Sequence, residues 1–332
     1  MNHLLVECDS LLKNGGFDYA FCGGFAIEMF LDKIVRKHGD IDISAFWDER
    51  DKIIIFMQSL GWRVYEPCGG GKAHYITDVK NQIKEKRNIF CMTDECEIVS
   101  LAPTNEPDIF IVDFDHKGQN KLTFIEFLFN HKVNGCFLYA RNHSLSLPLS
   151  QAILTCHEIK YLAPEMVLLY KSTDIEREGY QLDFDLAVQA MSAGQKNWLK
   201  NALHTTHPNG HKWLCEIEAN GFWTAIDSLI AQSAIILDRP KGTKHPRFDF
   251  IYPLDYGYLK DTSSMDGGGI DIWRGSLSDL VCNAIICTVD LLKKDSEMKL
   301  LIGCTEEEKE IAMRFHNESE YMKGAMIRRS LN

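Results

Sequence analysis

GGFAIEMFLDKIVRKHGDIDISAF, residues 23–46, decides how the first half of the chain is read. Two glycines open a run whose apolar residues recur at intervals of three and four, the period of a helix. A polar link then leads into DIDISAF, an apolar, β-branched segment that carries Asp40 and Asp42. On a strand, side chains alternate faces, so these two acids project to the same side. Carboxylates held that close repel unless a cation sits between them, and oxygen-only ligands suit Mg2+. Gly23 and Gly24 at a helix start let the backbone approach a phosphate and offer free N–H groups at the positive helix end. Taken together, these parts can hold a Mg2+–nucleoside triphosphate.

Working outward, HLLVECDSLLKNGG reads as a helix ending at Gly15-Gly16, FDYAFC as a strand and DKIIIFMQSLGW as a helix before the strand WRVYEP. Residues 75–140 alternate in the manner of strands, most clearly in DIFIVDFDH, LTFIEFLFN and CFLYARN. From YLAPEMVLLYKS to about Asn220 the pattern turns helical. After Leu237 the texture changes to Pro, Gly, Asp and aromatic residues, followed by the strand-like LVCNAIICTVDLL and MKLLIGC and the charged helix TEEEKEIAMRFHN. A length of 332 residues exceeds what one core usually supports, so two domains are expected, 1–220 and 221–332. The first divides into a sheet over 1–150 and a helical half over 151–220.

Composition is that of a soluble globular protein, 45% apolar and 25% charged. No apolar run is long enough to span a bilayer, and the N-terminus lacks the pattern of a secretory signal. Eleven cysteines without regular spacing fit a reducing compartment better than a disulfide framework, so a cytoplasmic protein without a membrane partner is expected. A net charge of −11 argues against broad nucleic-acid binding and is compatible with a cationic small substrate.

The opening stretch resembles the signature of the aminoglycoside and lincosamide nucleotidyltransferases, a branch of the polymerase-β-like superfamily. That signature carries GG, an acid on the following helix and R-x-H-x-D-[IV]-D, answered here by Gly23, Gly24, Glu28, Arg36, His38, Asp40 and Asp42. LTFIEFLFN resembles the family's third-acid strand, and YLAPEMVLLYKSTDIEREGYQLDFDLA its helical substrate half. The resemblance implies an α+β fold, a mixed sheet with helices plus a helical half. It also implies transfer of a nucleoside monophosphate, AMP first, from ATP or another triphosphate to a hydroxyl of a small molecule. Asp40 and Asp42 would ligate Mg2+. Glu126 would ligate a second ion or act as general base, and it stands where the family often has Asp. Lys171 would contact phosphate and Asp183 a cationic substrate, while Arg36 and His38 would contact phosphate or cap and orient the loop.

Residues 238–271 interleave Asp238, Asp255, Asp266 and Asp271 with Lys241, Lys244, Arg247, Tyr252, Tyr256 and Tyr258. Acids gather Mg2+, while lysine, arginine and tyrosine hold phosphate oxygens. DRPKGTKHPR, YPLDYGY and DGGGID, in that order, resemble the soluble family I inorganic pyrophosphatases. That resemblance implies a small β-barrel-like domain with Asp238, Asp266, Asp271 and a later acid, Asp290 or else Asp295 or Glu297, as metal ligands, Asp266 and Asp271 also being catalytic. Lys241, Arg247, Tyr256 and Lys299 would hold phosphate. Gly268 replaces the middle aspartate of the family's triad, which leaves a pared-down pyrophosphatase or a phosphate-binding relic. Nucleotidyl transfer is reversible, and a tethered hydrolase would meet its pyrophosphate at high effective concentration. The alternatives are a pyrophosphatase with a nucleotide-sensing first domain, and a transferase that modifies protein or tRNA. HTTHPNGH (204–211) reads as a helix-end loop, and Cys91 and Cys96 of CMTDEC as free thiols.

Overall fold

The computed structural model describes residues 2–115, 118–246, 249–264 and 267–329. The chain divides into two compact units, Met1–Ile217 and Glu218–Asn332.

In the first unit, helix α1 (His3–Leu12) leads to strand β1 (Tyr19–Phe21), helix α2 (Gly23–Leu31), strand β2 (Asp42–Phe46) and helix α3 (Arg50–Ser59). Six strands follow: β3 (Arg63–Gly69), β4 (Lys72–Tyr75), β5 (Asn88–Met92), β6 (Val99–Pro103), β7 (Ile109–Phe114) and β8 (Phe124–Val133). Then come β9 (Cys136–Leu138), β10 (Ser146–Pro148), the short α4 (Leu149–Ala152), β11 (Ile153–Cys156) and β12 (Ile159–Leu162). The unit closes with α5 (Pro164–Lys171), α6 (Tyr180–Ala190) and α7 (Ala193–Thr206), and the long α8 (Lys212–Gln232) contains the division between the units.

The main sheet runs β11-β12-β1-β2-β8-β5-β3-β4-β7-β6 and is mixed. β1 pairs parallel with β12, and β2 parallel with β8. Along the β2–β8 pair Ile43, Ala45, Ile125, Phe127 and Phe129 share one buried apolar face, while Asp42, Ser44, Glu126 and Asn130 alternate onto the other. Residues 153–162, expected to be helical, instead form a hairpin beside β1. The β-branched and aromatic ILTC…IKYL favours strand, and helix begins only at Pro164, a good first helical residue.

α2 ends at Asp32 in left-handed backbone (φ 47). Buried Glu28 reaches past the helix end and accepts the N–H groups of Val35 (2.8 Å) and Arg36 (3.1 Å). A side chain that satisfies backbone donors outside the helix fixes the following loop in place of another helical turn.

In the second unit β13 (Ile235–Arg239), β14 (Asp255–Leu259), β15 (Ile270–Arg274), β16 (Cys282–Asp290), β17 (Asp295–Ile302) and β18 (Met322–Arg328) form one sheet, with α9 (Glu306–Glu318) before β18. Its order is β13-β14-β15-β17-β16-β18. The expected barrel-like closure is not formed: β13 and β18 are the two edges, and among the described residues they do not pair. Alternation splits the buried residues between two faces. Ile272, Ile285 and Leu300 pack with Trp223, Ile226 and Ile230, while Trp273, Ile286 and Leu301 pack with Ala312 of α9. With a helix against each face, the open sheet is covered without rolling up.

Candidate active site

In the first unit the ends of β2 and β8, the start of α2 and the 36–40 loop open into a cleft of about 960 Å3. Parallel pairing places Asp42 in register with Glu126. Asp40 lies two residues before Asp42, just outside the strand, because β2 begins only at Asp42. All the same, one carboxylate oxygen from each of Asp40, Asp42 and Glu126 lies within 4.8 Å of the others. The loop that enters β2, rather than strand alternation, brings Asp40 beside Asp42, and the β2–β8 pairing adds Glu126.

The electrostatics of this trio suit a divalent cation. Burial first, then the charges of Asp40 and Glu126, push the Asp42 carboxyl well above the usual range. Burial likewise raises Glu126 to about 7, against the lowering effect of a hydrogen bond from Asn88 Nδ2 to its Oε1 (2.6 Å). Three hard oxygen donors around one point, destabilised when charged, fit a divalent cation such as Mg2+.

The glycines explain themselves by what a side chain would hit. Gly23 is in left-handed backbone (φ +63), and a Cβ there would strike the carboxylate of Asp42. At Gly24 a Cβ would collide with the ring of His38 and come within 2.7 Å of Arg36 Nη2. Both positions must stay bare for the acid and the 36–38 loop to lie over the helix start. Cys22 caps α2 without a side-chain hydrogen bond, so the first N–H groups of the helix have no intrahelical partner and face the cleft.

Several expected contacts are arranged differently. His38 Nε2 lies 3.0 Å from Glu28 Oε1 and its ring packs on Phe25, which orients the loop. Arg36 reaches Asp183 through two nitrogens (3.0 and 3.3 Å), and Lys171 Nζ lies 3.0 Å from the same carboxylate. Asp183 is 1% exposed. It is therefore not free to receive a cationic substrate: its charge is already shared between two buried or half-buried cations.

The cleft also contains residues the sequence did not single out. Lys37, Arg87, Arg141 and Arg177 line it, with Asn130, Tyr170 and Tyr180. Asn130 accepts from Tyr170 Oη (2.7 Å) and donates to Ser44 Oγ (2.9 Å), a small network in the cleft wall. Arg87 and Asn88 sit on and before β5, whose antiparallel pairing with β8 sets Phe90 opposite Glu126. No local motif marks Asn88; only cross-strand register shows that it can reach Glu126. Asn88→Ala should lower any Asp42-dependent activity by about 10- to 100-fold, the usual cost of losing a group that orients a metal ligand. Steady-state rates with intact far-ultraviolet circular dichroism check this, and an unchanged rate would dismiss the orienting role.

In the second unit Lys299 Nζ lies 2.6 Å from Asp271 Oδ2 and 2.8 Å from Glu297 Oε2. Tyr256 packs beside this trio and hydrogen-bonds Asp271, and the Arg239 guanidinium stacks 5.4 Å over the Tyr256 ring. The other candidates do not converge. Asp238 is exposed beside Arg239, and Asp290 accepts the N–H groups of Leu292 and Lys293 in a turn. Lys241 is exposed, its backbone N–H donated to Asp255. Among the described residues no group of three potential ligands contains Asp238, Asp271 or Asp290. The expectations for Arg247 and Asp266 lie outside the described residues.

No family model and no curated protein matches the chain. Solved structures do. The antibiotic-resistance factor ANT(2'')-Ia is 12% identical and covers 62% of this chain and 92% of its own, with a TM-score of 0.38. The lincosamide antibiotic adenylyltransferase LnuA, bound to lincomycin, is 13% identical over 57% of this chain and 98% of its own, with a TM-score of 0.37. An inorganic pyrophosphatase from Helicobacter pylori is 13% identical over 29% of this chain and 77% of its own, at 0.22. At scores this low the functional reading must come from the residues of the cleft. All eleven cysteines are free, and among the described residues no helix is long and apolar enough to cross a membrane.

Proposed function

We propose that residues 1–217 catalyse divalent-metal-dependent transfer of a nucleoside monophosphate from a nucleoside triphosphate to a hydroxyl of a small molecule. AMP is the preferred group, an aminoglycoside or lincosamide the preferred acceptor class, and pyrophosphate the leaving group. The observation that carries this reading is the convergence of Asp40, Asp42 and Glu126 beside the uncapped start of α2 in a cleft rimmed by arginine and lysine.

Asp40, Asp42 and Glu126 would hold Mg2+, which supplies charge neutralisation at the reacting phosphate. The chain's own groups do the rest. Backbone N–H groups at Gly23 and Gly24 receive phosphate oxygens at the positive helix end. Lys37, Arg87 and Arg177 offset the remaining negative charge of the triphosphate. Glu126 has one of two roles: a ligand to the ion, or, where Asp40 and Asp42 alone hold the ion, a carboxylate raised by burial to about 7 that accepts the proton of an incoming hydroxyl near neutral pH. Asp183 holds Arg36 and Lys171 in place at the cleft edge.

The test is incubation of the full chain with Mg2+, labelled ATP, GTP, CTP or UTP, and a panel of aminoglycosides and lincosamides. A labelled product that forms only with metal supports the proposal. Failure of every acceptor, together with no thermal shift from Mg2+ plus any triphosphate, would refute it. Label appearing instead on protein or tRNA in a lysate would move the acceptor to a macromolecule.

For residues 218–332 the reading is contact with pyrophosphate. Lys299, Arg239 and Tyr256 gathered around Asp271 support it, together with the sequence resemblance. Phosphate release from pyrophosphate that disappears in Asp271→Asn would extend this from contact to hydrolysis.

The carboxylate trio also sets a pH dependence. Glu126 has a folded value of about 7 against an ordinary 4.5. The metal-free fold therefore binds the extra proton between those values, and its stability falls as pH rises through that window. A bound cation removes the penalty. The rise in Tm produced by Mg2+ should accordingly be larger at pH 8 than at pH 5, as read by differential scanning fluorimetry. An equal or opposite trend would contradict the assignment of the ligands.

A further inference from the structure

A second group of metal-ligating side chains lies in the first unit, apart from the acidic cleft. Asp32, Cys156 and His157 each offer a ligand atom within 4.8 Å of the others. They come from separate segments: Asp32 caps the C-terminus of α2, while Cys156 ends β11 and His157 opens the turn into β12. His157 Nε2 already lies 3.1 Å from Asp32 Oδ1. The backbone holds this arrangement in an unusual way. Asp32 (φ 47) and His157 (φ 48) are both non-glycine residues in left-handed backbone, and Glu158 follows at φ 68. His157 and Glu158 fill a two-residue hairpin loop, which needs φ > 0 at both positions, without the usual Asn-Gly, and Asp32 takes the same backbone at the helix C-terminus.

We infer that Asp32, Cys156 and His157 form a zinc-type transition-metal site that ties the end of α2 to the β11–β12 hairpin. The donor set is one thiolate, one imidazole and one carboxylate, with solvent as fourth ligand. Such a mixture selects a borderline divalent ion like Zn2+ over Mg2+, which prefers oxygen alone. Metal–ligand bonds of about 2.0–2.3 Å require the three donors to close on a common point. Asp32 and His157 have side chains 75% and 61% exposed, so they can make that adjustment and the ion can enter from solvent. Binding deprotonates Cys156, so a proton leaves for each ion bound and affinity increases with pH. The ion would anchor the far end of the helix whose first residues are Gly23 and Gly24 to the strand that pairs with β1. Its expected effect is a metal-dependent rise in Tm of the full chain.

The test uses Co2+ as probe on the reduced full-length protein. Co2+ bound to Cys156 gives a near-ultraviolet thiolate-to-cobalt charge-transfer band, whereas the group Asp40, Asp42 and Glu126 offers Co2+ oxygen alone; Cys22, which lines that cleft, is controlled by Cys22→Ser, which should leave the band unchanged. One equivalent should develop the band, and Zn2+ but not Mg2+ should remove it. Cys156→Ser should abolish it, and His157→Ala and Asp32→Ala should weaken Co2+ binding by tenfold or more. Cys215→Ser, at an exposed thiol elsewhere, should leave it unchanged. Thiol labelling gives a second readout: Zn2+ should slow labelling of Cys156 in the parent protein and lose that protection in His157→Ala. No cobalt–thiolate band in the parent protein, or a band that survives Cys156→Ser, would overturn the site and leave an ordinary Asp32–His157 ion pair.

Discussion

Asp42→Asn should abolish nucleotidyl transfer, on the order of a thousandfold or more, and at the same time raise the thermal stability of the metal-free protein. The two effects share one cause. Asp42 is a buried carboxylate whose ionisation is opposed by burial and by the neighbouring charges of Asp40 and Glu126. Removing its charge relieves the repulsion that a cation otherwise offsets, and removes a ligand from the same cation. Functional sites commonly hold such destabilising groups, and neutral replacements stabilise the fold at the expense of activity. Transfer rate and Tm in chelator are the measurements. A variant that lost activity and was also less stable without metal would point to a structural role for Asp42.

Asp183→Ala should cost about 3–5 kcal/mol of stability with no ligand present, the usual loss when one partner of a buried ion pair is deleted. Arg36 and Lys171 would be left facing each other without their shared carboxylate. Lys171 is 4% exposed, so it cannot simply turn into solvent. Denaturant unfolding measures the loss. Adding Lys171→Met to Asp183→Ala should recover part of it, because an uncompensated buried ammonium is replaced by an apolar side chain of similar length. Had Asp183 been a substrate contact, its removal would leave the unliganded protein unchanged and raise KM alone.

Asp40, Asp42 and the two glycines stood out in the sequence because the pattern is local, two acids two residues apart and bare backbone at a helix start; the expected strand alternation does not apply to Asp40, which lies in the loop before β2. Glu126 was reached through resemblance, and parallel pairing of β2 with β8 supplies the physical reason, setting it level with Asp42. Asp183 stands beyond such logic. It is 147 residues from Arg36 in the chain, and nothing in DFDLAVQAM says that its carboxylate is already taken. Asn88 was missed for the same reason, since only the β5–β8 register links it to Glu126. The start of the helical half was misplaced because 153–162 forms a hairpin whose second strand, β12, pairs with β1, a tertiary decision about an ambiguous apolar run. In the second unit the motif order suggested a barrel, yet helices against both faces leave the sheet open.

The most direct test of the central claim is a crystal of the full chain grown with Mn2+ and a non-hydrolysable ATP analogue, using anomalous scattering to locate the metal. Manganese bound among Asp40, Asp42 and Glu126, with the phosphates against the start of α2, is the result this account predicts. An ordered nucleotide elsewhere, or manganese absent from those three carboxylates while the analogue is bound, would contradict it.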